Sequence, residues 1–79
     1  MTSPTLPPNI PPLAYDEDEY RHYLPEYGPG GAGIMLMWDD EHEAWRMTDL
    51  RVHPDLREQG LGNRILTIIT EWADAGGHR

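Results

Sequence analysis

The chain has 79 residues and lacks cysteine, lysine and phenylalanine. Without cysteine it can form no disulfide, and this absence favours a reducing, cytoplasmic setting. Arginine supplies all six basic residues, a pattern that reflects a GC-rich genome more than a particular chemistry. A chain this short buries a modest core, so we expect a homo-oligomer or a protein partner to supply additional stability.

Basic charge is scarce as well. Fourteen acidic residues against six basic ones give a formal net charge of −8. A nucleic-acid-binding surface needs a basic stripe to neutralise phosphates, so the composition argues against that class of partner. No apolar run approaches the roughly 20 residues that span a bilayer, and no basic start leads into an apolar stretch typical of a secretion signal. We therefore expect a soluble, intracellular protein with no nucleic-acid or membrane partner.

Proline dominates the first 14 residues of the chain. Proline fixes φ and cannot donate a backbone hydrogen bond, which predicts an extended arm over residues 1–14. The spacing of Pro4 and Pro7, and of Pro8 and Pro11, would also suit a PxxP ligand. We favour a disordered or partner-draped tail, because this spacing arises easily in any proline-rich tract.

Residues 15–32 predict a short helix followed by a glycine-rich connection. The acidic run Asp16–Glu19 suits the first turn of a helix, and Tyr20, Tyr23 and Leu24 follow at helical spacing. The proline that comes next would end this helix. Four consecutive acids fan out around a helix, so we interpret them as a solvated face rather than as a metal site.

Residues 33–79 predict the folded core. The apolar run Ile34–Trp38 has the length of a strand, and its lack of alternation predicts burial on both faces. The acidic turn Asp39–Glu43 separates it from a second strand over Ala44–Val52, and the two strands would form an antiparallel hairpin. His42 in this turn could be a metal ligand, but a turn offers no fixed scaffold, so a solvated turn is favoured.

A helix over Leu61–Ala75 is the clearest element of the sequence. Apolar side chains recur there at steps of three and four and form one stripe, which we interpret as core. The stripe consists of Leu61, Ile65, Ile68, Ile69 and Trp72. Gly76 and Gly77 supply a stop, because glycine adopts the left-handed conformation that caps a helix. The predicted fold class is α+β, an antiparallel β-hairpin packed on one long C-terminal α-helix.

The segment between the second strand and this helix carries the candidate chemistry. Gly60 and Gly62 place no Cβ where the phosphates of a ligand would approach the backbone. The N–H groups of residues 59–63 lie at a helix N-terminus, where donors and dipole favour an anion. Arg57 adds a bidentate donor beside them. Two glycines alone would fit a structural turn equally well, whereas strand, turn and helix in this order favour a phosphate cradle.

The same residues resemble a known signature. The run Leu50–Pro54 followed by Arg57–Gly62 is similar to the acyl-CoA signature of the GNAT superfamily of N-acetyltransferases. That signature is Gln or Arg, two residues, Gly, one residue, then Gly or Ala, and it follows a strand. The likeness extends from Trp45 to Ala75 and includes the flanking strand and helix. It implies a partial GNAT-like fold that binds acetyl-CoA.

The resemblance also implies roles for individual residues. In that family the backbone amides of the loop hold the pyrophosphate of coenzyme A, and the end of the strand bonds the pantetheine through its main chain. The implied cofactor-binding residues are Leu50, Val52, Arg57, Gln59, Gly60, Leu61, Gly62, Asn63 and Arg64. No catalytic residue and no metal ligand is identified.

Three departures from the family pattern bear on activity. The chain stops where a complete member would turn into the strand that forms the other wall of the acyl-CoA cleft. Arg46 stands where many catalytic members place a glutamate base, although Glu43 and Asp49 lie near it in sequence. Glu58 stands where the family usually has glycine or a basic residue, and a carboxylate there would repel a pyrophosphate.

Two functions therefore stay open. The first is an N-acyltransferase that passes an acetyl group from acetyl-CoA to an amine, with a partner chain or a further C-terminal part completing the cleft. The net acidity would suit a cationic amine acceptor. The second is a catalytically inactive GNAT-like accessory or assembly protein that acts through the open edge of the strand Met47–Val52. A trimmed gene of a compact genome, such as that of a phage, would fit this second function.

Overall fold

The structure, a computed structural model, describes residues 7–76. They form one antiparallel sheet of four strands in chain order, with a helix packed against it. The elements are β1 (Ala14–Asp16), β2 (Arg21–Tyr23), β3 (Ala32–Asp39), β4 (Ala44–Val52) and α1 (Leu61–Gly76), with 3-10 turns at Pro25–Tyr27 and Pro54–Leu56. The predicted α+β class, the hairpin and the long C-terminal helix are confirmed.

The hairpin of β3 and β4 has the predicted order, and β4 has the predicted bounds. At its closed end Asp39 pairs with Ala44, and the rings of Trp38 and Trp45 meet edge to face with centroids 5.4 Å apart. Oδ1 of Asp39 accepts the backbone N–H of Glu41 at 3.0 Å. The acidic turn is therefore shaped by a carboxylate that bonds its own backbone two residues on.

Helix α1 supplies one wall of the core. Leu61, Ile65 and Ile69 are buried, while Ile68 and Trp72 are half-buried and pack beside them, so the predicted apolar stripe is confirmed. The strands and the N-terminal segment supply the other wall with Ile10, Leu13, Leu24, Ala32 and Ile34. Among the residues that the structure describes, no helix has the length and apolarity needed to cross a membrane.

The prediction that the apolar run of β3 is buried on both faces is wrong. Ile34 is buried and Leu36 packs against the core, whereas Met37 is 55% exposed. Successive side chains of a strand point to opposite faces, and within residues 7–76 a helix covers only one face of this sheet. Met35 and Met37 therefore belong to the face that α1 does not cover.

The short helix predicted after residue 15 is also wrong. Those residues form β1, an acidic turn and β2, and the helical turn Pro25–Tyr27 begins at the proline that was expected to end a helix. Oδ1 of Asp16 accepts the N–H of Asp18 at 3.0 Å, and Tyr20 has a left-handed φ of 58°. Side-chain hydrogen bonding to the backbone competes with helix formation and here produces a tight strand connection.

Residues 1–6 of the predicted arm lie outside the described residues. For residues 7–14 the structure shows core packing in place of a disordered or partner-draped tail, because Ile10 is fully buried and Leu13 is 7% exposed. Nε2 of His22 bonds the Pro8 carbonyl oxygen at 2.8 Å and fixes this segment against β2. Burial lowers the pKa of His22, so the neutral ring donates its Nε2–H to that carbonyl.

Candidate functional site: the loop between β4 and α1

Strand β4 approaches the site through an irregular pairing. The register of β3 against β4 shifts between Gly33 and Met35, so that two β4 residues, Asp49 and Leu50, lie opposite one β3 residue. Asp49 has a left-handed φ of 54°. This is the geometry of a β-bulge, which bends a strand and redirects the residues that follow it. The bulge therefore sets the course of residues 50–52, where β4 ends.

Three contacts hold the loop that follows. The N–H of His53 donates to the carbonyl of Gly31 at 2.6 Å and joins the end of β4 to the glycine-rich connection. Nδ1 of His53 accepts the N–H of Asp55 at 3.1 Å, which caps the 3-10 turn Pro54–Leu56. Leu56 is half-buried and packs against the core. The loop thus has a defined shape although most of its side chains are exposed.

The N-terminus of α1 presents backbone amides. The N–H of Arg64 bonds the Gly60 carbonyl at 3.0 Å and closes the first turn of the helix. The three amides of residues 61–63 precede it and have no carbonyl one turn back in the helix. Glu58 and Gly60 have left-handed φ values of 73° and 69°. Left-handed residues in such a loop gather successive N–H groups into the concave arrangement that binds anions.

Two surface pockets flank this loop. The first, of about 290 Å³, lies over the helix N-terminus, and its lining includes Val52, Arg57, Glu58, Gly60, Gly62 and Asn63. The second, of about 360 Å³, lies beside the end of β4, and its lining includes Gly30, Leu50, Arg51, Val52, His53 and Arg57. Val52 and Arg57 line both, so the pockets adjoin.

Electrostatically the two pockets differ. The exposed Arg51 and Arg57 line the second pocket, and no acidic residue is among its described lining. In the first pocket Arg57 is accompanied by Glu58. Within residues 7–76 the Arg57 side chain has no ion-pair partner. Arg51 is bonded to Asp49 at 3.0 Å, so within residues 7–76 Arg57 supplies the unpaired positive charge of this site in a chain whose net charge is −8.

The structure brings most of the implied cofactor-binding residues together. Seven of them line the two pockets, namely Leu50, Val52, Arg57, Gly60, Leu61, Gly62 and Asn63. Leu61 is 4% exposed and belongs to the core. Gln59 is exposed and lines neither pocket. The Arg64 guanidinium donates to a carboxylate oxygen of Glu26, so this arginine is already paired.

Two features of the site were missed in the sequence. Arg21 of β2 reaches across β3 to bond both the carbonyl and the carboxylate of Asp49, and Glu58 adopts a left-handed backbone conformation. The bonds from Arg21 and Arg51 hold the pKa of Asp49 below its usual range. In the sequence, Gly33 is the feature that could have indicated the crossing of Arg21 over β3. A Cβ at this position would lie 2.9 Å from Cδ of Arg21.

The comparison with known families agrees with this geometry. The model of the acetyltransferase (GNAT) family matches residues 4–79. The chain belongs to the GNAT acetyltransferase family. No curated protein and no solved structure matches it. Membership supports acyltransferase-type function in general, and acetyl-CoA is the donor that the GNAT family typically uses.

The described residues of this GNAT chain offer a weaker candidate for proton transfer than for ligand binding. Arg46, which the resemblance sets at the position of the family's usual base, is exposed, and its Nη2 lies 3.6 Å from Oδ2 of Asp39. Asp49 is a weak base because two arginines hold its pKa low. Glu43 is exposed in the hairpin turn. The described residues therefore support binding of a ligand more strongly than removal of a proton.

A second polar cluster lies at the opposite end of the β3–β4 hairpin. Candidate ligand atoms of Asp39, Glu41 and His42 lie within 4.8 Å of one another. Nδ1 of His42 bonds Oδ2 of Asp39 at 2.8 Å, and this bond lowers the pKa of Asp39. The hydrogen bonds that shape the turn account for this arrangement without a bound ion.

Proposed function

We propose that this chain binds acetyl-CoA at the loop Arg57–Asn63 and acts as the donor-binding part of an N-acyltransferase that acts on an amine. One observation carries the proposal: the bulged end of β4, a loop with left-handed residues and the amides of residues 61–63, which are unpaired within residues 7–76, all meet at two adjoining pockets. Family membership supports the acyltransferase class, and a helix N-terminus with free amides is a site that would suit a pyrophosphate.

The residues present fit a pyrophosphate. Backbone N–H groups and the helix dipole favour an anion at this end of α1, and Arg57 adds a positive charge that offsets part of the acidity of the chain. A Cβ at Gly60 would meet no heavy atom within 4 Å, so the backbone there is open to a ligand. Glu58 is the unfavourable member of the set, and its exposure to solvent screens its charge.

The outer edge of β4 fits the extended pantetheine arm. In the described sheet β4 pairs with β3 alone, which leaves its other backbone edge unpaired. Such an edge bonds the amide groups of an extended ligand as it would bond another strand. Met47 and Leu50, 46% and 41% exposed, offer apolar surface near the same edge.

The bound cofactor would supply an activated acyl group as its thioester. The loop would hold the pyrophosphate, the β4 edge would orient the arm, and the acidic surface would favour a cationic amine. Residues 7–76 do not identify a base for that amine. We therefore propose that a partner chain or a further segment beside β4 supplies the second wall of the cleft.

Thermal unfolding with and without acetyl-CoA tests the binding claim. A ligand that binds only the folded state at about 10–100 times its Kd adds about 1.4–2.7 kcal/mol. For a domain of this size that raises Tm by about 6–22 °C. Arg57→Glu should abolish the shift, whereas Arg46→Glu, the same charge reversal on β4 away from the loop, should retain most of it. No shift of the unmodified chain at millimolar acetyl-CoA would contradict the proposal.

A catalytically inactive accessory or assembly protein is the second candidate. The open edge of β4 and Arg46 at the position of the base favour it. In this case the chain would form a homo-oligomer or bind a protein partner along β4, and acetyl-CoA would leave Tm unchanged. Analytical ultracentrifugation combined with hydrogen exchange of the β4 amides distinguishes the two. A stable monomer that binds acetyl-CoA would contradict the second candidate.

A further inference from the structure

A buried arginine and the bulge in β4 form one unit. The Arg21 side chain is 6% exposed, and an arginine this buried is costly unless its charge is paired and its donors are satisfied. Its Nη1 donates to the Asp49 carbonyl oxygen at 2.6 Å, and its Nη2 donates to Oδ2 of Asp49 at 2.7 Å. Both bonds end on the residue at which β4 is irregular.

The conformation of Asp49 is held from outside its own strand by Arg21. Its φ of 54° is left-handed, which aspartate tolerates better than most residues with a Cβ but which fixed hydrogen bonds still stabilise. Arg51 also bonds this carboxylate, from Nε at 3.0 Å, but the Arg51 side chain is 70% exposed and its bond is open to solvent. The buried Arg21 is therefore the main constraint on the bulge.

The path of Arg21 is built into β3. The side chain starts on β2 and crosses β3 at Gly33 to reach β4. A Cβ at Gly33 would lie 2.9 Å from Cδ of Arg21 and 2.8 Å from the His22 carbonyl oxygen. Only glycine leaves room for this crossing. The bond therefore depends on one residue in each of three strands, namely Arg21, Gly33 and Asp49.

The bulge is also in contact with the loop. Leu50 is the second residue of the bulge, and its side chain lies over Gly62. A Cβ placed on Gly62 would be 3.4 Å from Cδ2 of Leu50, so β4 packs against the start of α1. Leu50 and Val52 line the pocket beside β4, and Val52 and Gly62 line the pocket over the helix. A change of course at Asp49 would therefore move the backbone that forms both pockets.

We propose that Arg21 is a positioning residue: it fixes the bulge at Asp49 and thereby sets the geometry of the β4 end and of the loop at residues 60–63. The effect of Arg21 on ligand binding rests on the proposed function, in which this loop holds acetyl-CoA. Arg21 does not line either pocket, so its effect on a ligand is exerted through Asp49.

The first test needs no ligand. Amide chemical shifts of ¹⁵N-labelled Arg21→Gln and Arg46→Gln are compared with those of the unmodified chain. Both variants remove one positive charge, but Arg46 is exposed and lies on β4 away from the loop. The proposal expects Arg21→Gln to shift the amides of residues 50–52 and 60–63, and Arg46→Gln to leave 60–63 unchanged. Shifts in Arg21→Gln that stay confined to β2 and its immediate neighbours would overturn it.

The second test measures the Kd of coenzyme A by calorimetry, at a temperature where circular dichroism shows each variant folded. Arg21→Gln should weaken binding at least tenfold and Arg46→Gln less than about threefold. A purely structural role would lower Tm in Arg21→Gln and leave the Kd of the folded protein unchanged, which overturns the proposal. If the unmodified chain binds no coenzyme A, the proposed function fails, while the ligand-free shifts still decide the role of Arg21.

Conservative variants keep the proposal testable if Arg21→Gln does not fold. Arg21→Lys retains the charge but cannot make both bonds in the same fork geometry, and it should weaken binding about threefold or more. Asp49→Asn keeps an acceptor oxygen and tolerates a left-handed backbone, so it should bind within about threefold of the unmodified chain. Asp49→Ala should weaken binding like Arg21→Gln. Equal affinities for the asparagine and alanine variants would contradict the mechanism.

Discussion

Replacing Glu58 by glycine should make the protein both more stable and a better anion binder. The φ of Glu58 is 73°, and a left-handed conformation costs a residue with a Cβ about 1–2 kcal/mol. Glycine removes that strain but adds about 0.5–1 kcal/mol of chain entropy to be lost on folding. At the middle of these ranges the net gain is about 0.75 kcal/mol, which corresponds to a rise in Tm of about 3–6 °C for a domain of this size.

The same change removes a negative charge from the lining of the pocket over α1. Glu58 is exposed, so its interaction with a phosphate about 8 Å away is that of two charges in water, about RT, and physiological salt reduces it about threefold. For a doubly charged pyrophosphate we expect coenzyme A to bind about twofold more tightly to Glu58→Gly, with a larger gain at low salt.

Glu58→Ala separates the two effects, because alanine removes the charge and keeps the Cβ. It should gain the same affinity without the rise in Tm. The assay is paired calorimetry, differential scanning for Tm and isothermal titration for Kd, at two salt concentrations. If Glu58→Gly is no more stable than Glu58→Ala, backbone strain at this position is refuted. If neither variant binds better at low salt, the loop is not the anion site.

Three further outcomes are expected. Ile65→Ala removes a fully buried side chain from α1 and should cost about 2–4 kcal/mol in chemical denaturation, whereas Thr67→Ala on the exposed face should change stability by less than about 0.5 kcal/mol. Gly33→Ala should cost at least about 1–3 kcal/mol, because its Cβ would lie 2.8 Å from a backbone oxygen, and Gly30→Ala, where a Cβ meets nothing within 4 Å, should be neutral. Burial lowers the pKa of His22 in the folded chain, so as the pH falls the unfolded chain takes up a proton first. Stability should be full above about pH 6.5 and should fall below it by at most about 1.4 kcal/mol per pH unit. His22→Gln should remove this slope in thermal scans between pH 7.5 and 5.

Local periodicity was sufficient to predict the second half of the fold. The stripe of α1 and the apolar and polar blocks of the hairpin are signals contained within one element, and they predicted the helix and both strands, although the burial predicted for the apolar run was wrong. The first half carried an ambiguous signal. Tyr20, Tyr23 and Leu24 are spaced as on a helix, but strands of three residues are too short to show their own alternation. The hydrogen bond to the carboxylate of Asp16 and the left-handed backbone of Tyr20 favour a turn between two strands here.

The part of the candidate site that is contiguous in the chain could be predicted from the sequence. The side-chain bonds between residues far apart in the chain could not. Strand, glycines and helix start lie together in the chain, so the loop at residues 57–63 could be found from its order alone. The bond between Arg21 and Asp49 joins residues 28 positions apart, and no spacing rule connects them. The pairing of Arg64 with Glu26 spans 38 positions and engages an arginine that the resemblance had assigned to the cofactor.

The most direct test of the central claim is an NMR titration of the ¹⁵N-labelled chain with coenzyme A. We expect saturable shifts, with one common Kd, in the amides of residues 59–63 and 50–52. Adenosine, which lacks the pyrophosphate, should produce little change in residues 59–63. Absence of any shift at millimolar coenzyme A, or shifts centred on the distant hairpin end around Trp45, would contradict a binding site at the loop between β4 and α1.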